Sequence, residues 1–144
     1  YGGTGDDDMN GGGGGDLMIG QGGNDTLDGW VGSDTLRGGA GDDIYVYTFA
    51  SHSQAGANRD QIGTWTQGDD TIDLSAIDAD ETNGADDAFS FQGTGAHSGL
   101  AGSLRVFTEG GSTIVGADLD GDTVDDMQIQ VVGNVTLTAA DFVL

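Results

Sequence analysis

The 144-residue chain has no cysteine, no proline and no lysine, and its basic side chains are Arg37, Arg59, Arg105, His52 and His97. Each absence excludes something. Without Cys there is neither a disulfide framework nor a thiolate metal site. No apolar run reaches the roughly 18 residues of a membrane-spanning helix, so no membrane insertion is expected. Three Arg against 25 acidic residues give a net charge of -22, which repels nucleic acid and anionic bilayer surfaces. Catalytic patterns are missing as well. Neither His belongs to an HExxH helix, no G-x-S-x-G elbow occurs, and the Gly-rich stretches lack the Lys of a phosphate loop. No catalytic residue is therefore assigned.

What the chain has is Asp and Gly. Of its acids 23 are Asp and 2 are Glu, and Gly supplies 29 residues. High charge with high Gly suggests disorder, yet 5 Phe, 3 Tyr and 2 Trp sit in apolar clusters and Pro is absent, which opposes it. Asp is a short carboxylate that favours turns.

Of the Gly residues, 16 lie before position 47, in a nine-residue register. It reads GGTGDDDMN from Gly2, GGGGGDLMI from Gly11, GQGGNDTLD from Gly20, GWVGSDTLR from Gly29 and GGAGDDIYV from Gly38. The first and fourth positions are always Gly. The sixth is always Asp (Asp7, Asp16, Asp25, Asp34, Asp43), and the eighth is apolar or aromatic (Met9, Met18, Leu27, Leu36, Tyr45). A flexible linker needs no such columns. The GGxGxD portion reads as a turn, because Gly accepts positive φ and lets carbonyls crowd together. The remaining three residues read as a strand with its middle side chain inward. Such a strand cannot bury that side chain alone, so repeats must stack into a two-sided parallel roll. Strands about 4.8 Å apart also stack the Asp residues of alternate repeats. Carboxylates at that spacing need a hard cation between them, and oxygen-only donors on flexible turns point to Ca²⁺.

These units resemble the nonapeptide of the RTX (repeats-in-toxin) proteins, whose parallel β-roll binds Ca²⁺ between the turns of repeats n and n+2. The resemblance implies one site from Gly3, Gly5 and Asp7 with Gly20, Gly22 and Asp25. It implies a second from Gly12, Gly14 and Asp16 with Gly29, Val31 and Asp34, and a third from Gln21, Gly23 and Asp25 with Gly38, Ala40 and Asp43. Gln21 and Trp30 replace Gly at the second position of their turns.

Composition changes after the repeats. Ile44–Phe49 reads as a strong strand, and short β-like runs follow at Thr71–Leu74, Phe89–Phe91, Leu104–Thr108, Thr113–Val115, Met127–Val132 and Val135–Leu137. Ser75–Asp78 and Thr138–Asp141 carry Ser/Thr-x-x-Asp patterns of short helix starts. The expected fold is all-β: a nonapeptide roll over residues 1–46, capped by an antiparallel, sandwich-like unit over 47–144. Within the latter, Arg59–Asp78 resembles the D-x-I-x-x-F-x-x-G-x-D-x-I-D-L-S segment of serralysin-type metalloproteases, with Trp65 where that family usually has Phe. Phe89–Val106 and Gly116–Leu144 resemble the same C-terminal region. The resemblance implies that Asp60 and Asp70 complete ion sites at the last turns of the roll. It also implies that Asp141–Leu144 ends a secretion signal read by type I machinery.

A second acidic cluster, Asp118, Asp120, Asp122 and Asp126, has the spacing of a D-x-D-G-D-x-x-x-D calcium loop but lacks the Gly and Glu of a full EF-hand. A hairpin turn explains it nearly as well. The chain is expected to be a calcium-binding module of a secreted, extracellular bacterial protein, beside an N-terminal catalytic or effector domain; Tyr1, in the last position of a preceding repeat, fits that. The alternative is an accessory polysaccharide-binding module.

Overall fold

Each repeat supplies one turn and one strand, and successive strands fall on opposite faces. The computed structural model describes residues 1–144. It places β1 (Gly3–Thr4), β3 (Leu17–Gly22), β5 (Thr35–Ala40) and β7 (Asp60–Ile62) in one parallel ladder. On the other face lie β2 (Asp8–Asn10), β4 (Thr26–Asp28), β6 (Ile44–Val46) and β8 (Thr71–Asp73). Neighbours are two repeats apart, so Met9 lies beside Leu27, Leu27 beside Tyr45 and Met18 beside Leu36. The eighth column thereby becomes the core. Leu27, Leu36 and Tyr45 are fully buried, as a strand with one inward face requires.

The ladders continue past Val46. β7 pairs with β5, and β8 with β6, carrying each sheet one rung further. On its free side β7 takes β12 (Met127–Val131) in parallel, then β11 (Ser112–Asp118) and β10 (Ser103–Glu109) antiparallel, and finally β9 (Ser90–Phe91). β10 and β11 turn on Gly110 and Gly111, whose φ values of 59° and 81° suit a two-residue hairpin turn. The second sheet ends on β13 (Phe142–Val143), parallel to β8. A single apolar cluster runs from Met18 through Tyr45 and Ile72 to Val106, Ile129 and Phe142. The parallel roll is the architecture the repeats predict, and the later β-like runs supply the expected antiparallel cap, whose apolar side chains continue the roll's core.

Three local expectations fail in whole or in part. The strand read over Ile44–Phe49 stops at Val46, and the chain bends toward the 3₁₀ turn Ala50–His52. Val135–Leu137 is not a strand, because the Thr113 hydroxyl takes the Val135 N–H (3.0 Å) and donates to its carbonyl (2.7 Å), occupying groups a ladder would need. Ser75–Asp78 is not helical, because the Asp73 carboxylate captures the Ser75 N–H (3.0 Å) and hydroxyl (2.7 Å) in an Asx turn. Thr138–Asp141 does form a 3₁₀ turn over Ala139–Asp141, with the Asp141 carboxylate accepting the Thr138 N–H at 2.7 Å.

Candidate metal centre

The aspartates of the repeats form two ladders, one along each turn edge. On one edge the Asp7 N–H donates to Asp25 Oδ1 (2.9 Å), the Asp25 N–H to Asp43 Oδ1 (2.9 Å), and the Asp43 N–H to Asp70 Oδ1 (3.2 Å). On the other the Asp16 N–H donates to Asp34 Oδ1 and the Asp34 N–H to Asp60 Oδ1, both at 2.8 Å. Asp25, Asp34, Asp43, Asp60 and Asp70 are each at most 2% exposed. One oxygen of each is thus satisfied by the backbone. The other is not: Oδ2 of Asp16, Asp25, Asp34, Asp43 and Asp60 is buried without any hydrogen-bond donor. Asp70 closes its edge differently, because its Oδ2 accepts the Thr66 N–H at 2.7 Å.

Ionised carboxylates in this setting are costly. Burial pushes the Asp34 and Asp43 carboxyls above the usual range, against the backbone hydrogen bonds from Asp16 and Asp25 that lower them. Burial likewise lifts Asp60 to about 7 and Asp70 to about 6. The glycine columns serve the same oxygens. Any side chain at Gly20 or Gly38 would overlap Oδ2 of the turn's own Asp25 or Asp43, and at Gly23 or Gly41 it would overlap the carbonyl of Gly5 or Gly23. The carbonyls of Gly22, Val31 and Ala40 each accept one N–H, from Gly5, Gly14 and Gly23, and keep a second lone pair. The turns therefore combine buried, unpartnered carboxylate oxygens with carbonyls that keep a free lone pair. That donor set fits a hard divalent cation of Ca²⁺ type.

Gln21 and Trp30 do not break the turn. All five second positions take positive φ, with Gln21 at 88° and Trp30 at 65°. The left-handed region costs a non-glycine residue about 1–2 kcal/mol. Gln21→Gly is accordingly expected to raise stability in Ca²⁺ by about 1 kcal/mol, less the entropy Gly recovers in the unfolded chain. A urea midpoint at or below that of the wild type would contradict the strain.

In the second acidic cluster, carboxylate oxygens of Asp118, Asp120 and Asp126 come within 4.8 Å of one another. Asp122 is not brought in; it stays exposed and accepts the Val124 N–H at 2.8 Å. Asp118 is fully buried, but both its oxygens are taken, Oδ1 by the Gly121 N–H (2.7 Å) and Oδ2 by the Thr123 N–H (3.0 Å). Its carboxylate organises the loop after β11, in contrast to the ladder aspartates with their free oxygens.

The profile of the family described as peptidase M10 serralysin C terminal matches residues 2–144. The chain belongs to this family. Among solved structures, the AlgE6R3 subunit from the Azotobacter vinelandii mannuronan C5-epimerase is similar over 99% of this chain and 80% of its own, at 23% identity and a TM-score of 0.58. The AlgE6R2 subunit of that epimerase is similar over 94% of this chain and 90% of its own, at 23% identity and a TM-score of 0.46. The AlgE6R3 likeness is one of fold. No curated protein matches the chain.

This serralysin C-terminal chain also holds a polar centre that the sequence did not announce. His97 lies in a loop but is buried, with Nδ1 2.6 Å from Ser103 Oγ and Nε2 2.6 Å from Asp125 Oδ1. Asp125 accepts two further bonds from Arg105 (3.1 and 3.0 Å) and one from Gln128 (2.7 Å). Burial pushes the Asp125 carboxyl up, but these bonds outweigh it and hold it below the usual range. The residue types are those of a hydrolytic triad, yet Ser103 is 1% exposed and inside β10, and the carboxylate is consumed by Arg105. The arrangement cross-links a loop to the sheet. Only the recurrence of Arg and His near acidic residues could have hinted at it, and in so acidic a sequence that hint is lost.

Proposed function

We propose that this serralysin C-terminal module folds on Ca²⁺ outside the cell, after export of the unfolded chain. The buried carboxylate oxygens that have no partner carry the reading: a fold that places five of them in its interior is incomplete without cations. The residues that would hold the ions are Gly3, Gly5, Asp7 with Gly20, Gly22, Asp25; Gly12, Gly14, Asp16 with Gly29, Val31, Asp34; and Gln21, Gly23, Asp25 with Gly38, Ala40, Asp43. Asp60 serves the last rung of the second edge. Asp70, already bonded through both oxygens, and the Asp118 cluster are weaker ligand candidates. Bound Ca²⁺ supplies positive charge and six to eight coordination positions.

Where Ca²⁺ is scarce, the charge of -22 keeps the chain expanded and suited to threading through type I secretion machinery. Outside, the ion binds only the folded roll, so binding energy becomes folding energy. The C-terminal unit then caps the roll beside the catalytic or effector domain of the parent protein. Circular dichroism of EDTA-treated protein should show a cooperative coil-to-β transition on adding Ca²⁺ and none with Mg²⁺. Full β structure in EDTA would refute the switch.

Protons offer a second test. The Asp34, Asp43, Asp60 and Asp70 carboxyls lie above their unfolded values, so the ion-free fold binds more protons than the coil. The contributions of Asp70 and Asp60 favour folding below the unfolded pKa of about 4 and are lost as pH rises through about 6 and about 7 respectively; those of Asp34 and Asp43 act in the same direction. In EDTA, β structure is therefore expected to increase as pH falls from about 7.5 to about 5. Adding Ca²⁺ at the lower pH should release protons from the folded fraction. An EDTA spectrum that does not change, or loses β signal, over that range would contradict the assignment.

A further inference from the structure

Past β6 the chain leaves the second sheet and displays an aromatic side chain. Phe49, at the entry to the 3₁₀ turn Ala50–His52, is 61% exposed. It lines a cleft of about 190 Å³ together with Ala50, Ala76, Ile77, Asp78 and Glu81. An aromatic ring, three apolar side chains and two acids thus share one concavity. The other two clefts of the molecule have no charged residue in their linings. The acids of this one are not spent elsewhere. Asp78 accepts the Asp80 and Asp87 N–H groups through Oδ1, both at 3.2 Å, and Glu81 is exposed. Neither forms an ion pair, since every such contact of the chain falls to Asp28, Glu109 or Asp125. Asp73, Asp80, Asp86 and Asp87 add charge nearby in sequence, with no basic residue between Asp73 and Asp87. None of these acids belongs to the aspartate ladders, so their charge persists when the ladders hold Ca²⁺.

The pairing of exposed ring and acid recurs across His52. Trp30, 44% exposed, and Phe49 both pack on the His52 ring, with centroids 5.4 and 5.3 Å away. Asp28 sits against Trp30 and His52. Its Oδ1 accepts the Trp30 N–H at 3.0 Å and stands 3.8 Å from His52 Nδ1, a buried nitrogen with no hydrogen-bond partner. A strip of two exposed rings, each accompanied by carboxylate, therefore runs from the cleft over His52. The ladders offer a metal ion stacked carboxylates and turn carbonyls. The cleft offers an aromatic wall and apolar side chains instead, and no three carboxylates converge in it. That lining suits an organic cation better than a hard metal.

We propose that this strip docks an arginine-bearing basic segment of a partner polypeptide, with one guanidinium in the cleft beside Phe49. A guanidinium stacks on an aromatic face by cation–π attraction, and its N–H fork donates to carboxylates such as those of Asp78 and Glu81. The aliphatic stem of the same side chain covers apolar surface of the kind that Ala50, Ala76 and Ile77 supply. Lys shares the charge but not the planar fork, so Arg is preferred. The pairing of Trp30 with Asp28 serves a second basic side chain of the same segment. The proposal does not require the ions to trigger folding, since it rests on acids outside the ladders.

The test is fluorescence anisotropy of a labelled Arg-Gly repeat peptide with the full chain saturated in Ca²⁺, beside Lys-Gly and Glu-Gly repeats at the same ionic strength. The Arg peptide should bind, the Lys peptide more weakly and the Glu peptide not at all. Phe49→Ala is expected to weaken the Arg peptide about threefold, and Phe49→Leu, which keeps apolar bulk without the ring, about as much. Glu81→Lys places like charge in the cleft and should weaken it about tenfold. Asp69→Asn removes an acid at the far end of β8 from Ala76–Asp78 and should change nothing. All four substitutions fall on exposed side chains and should keep the wild-type circular dichroism spectrum. Further Ca²⁺ at constant ionic strength should not displace the peptide. An unbound Arg peptide, wild-type affinity in Glu81→Lys or in both Phe49 variants, or displacement by Ca²⁺ overturns the proposal. A chain that is folded in EDTA and still binds the Arg peptide would instead count against the folding switch alone.

Discussion

Asp25→Ala raises the Ca²⁺ midpoint of folding by about tenfold or more, whereas Asp7→Ala raises it by about threefold. The difference follows from position in the ladder. Asp25 sits between two rungs: its Oδ1 accepts the Asp7 N–H, its own N–H donates to Asp43 Oδ1, and its Oδ2 is buried without a partner. In the proposed ligand assignment it serves two ions, while the half-buried Asp7 of the first rung serves one. Asp25→Asn separates the ligand role from the hydrogen-bond role, since its amide oxygen can still accept the Asp7 N–H. It should therefore weaken Ca²⁺ response nearly as much as Ala while leaving the ion-free chain no less ordered, because it removes an uncompensated buried charge. Titrations followed by circular dichroism decide the matter. Equal midpoints for the Asp25 and Asp7 variants would contradict the sharing.

Sequence reading reached the roll because a repeat is its own structural evidence. Four fixed columns give turn, strand, core position and carboxylate, and each appears in the ladder of β1 to β6. The last rung was less legible. β7 has three residues, and the spacing from Asp34 to Asp60 abandons the nonapeptide period, so only family resemblance drew attention to Asp60. Side chains that replace backbone partners were also hidden. Thr113 displaced an expected strand at Val135–Leu137, and Asp73 displaced an expected helix start at Ser75. Both are local captures of backbone groups by short polar side chains, which hydrophobic pattern does not register. The free Oδ2 atoms were the opposite case, because stacked Asp columns already implied charge in need of a counter-ion.

Asp125→Ala is expected to cost the folded, Ca²⁺-saturated protein about 3–5 kcal/mol, and Asp126→Ala about 1 kcal/mol. The two carboxylates are neighbours in sequence with different work. Asp126 accepts the Leu119 N–H at 2.8 Å on an exposed side chain. Asp125 is buried and gathers Arg105, His97 and Gln128, so its removal strands a guanidinium and a buried imidazole that have no other acidic partner. Urea unfolding at saturating Ca²⁺ measures both losses, and equal values would deny the network its role. The pH dependence supplies an independent sign. Because Asp125 is held below its unfolded pKa, its contribution is present above that value and lost as pH falls through the folded one. The ladder aspartates act in the reverse direction while ion-free. Acid therefore relieves the ion-free roll while weakening the cross-link in its cap, and a pH series of Asp125→Ala against wild type should show the difference between them shrinking toward low pH.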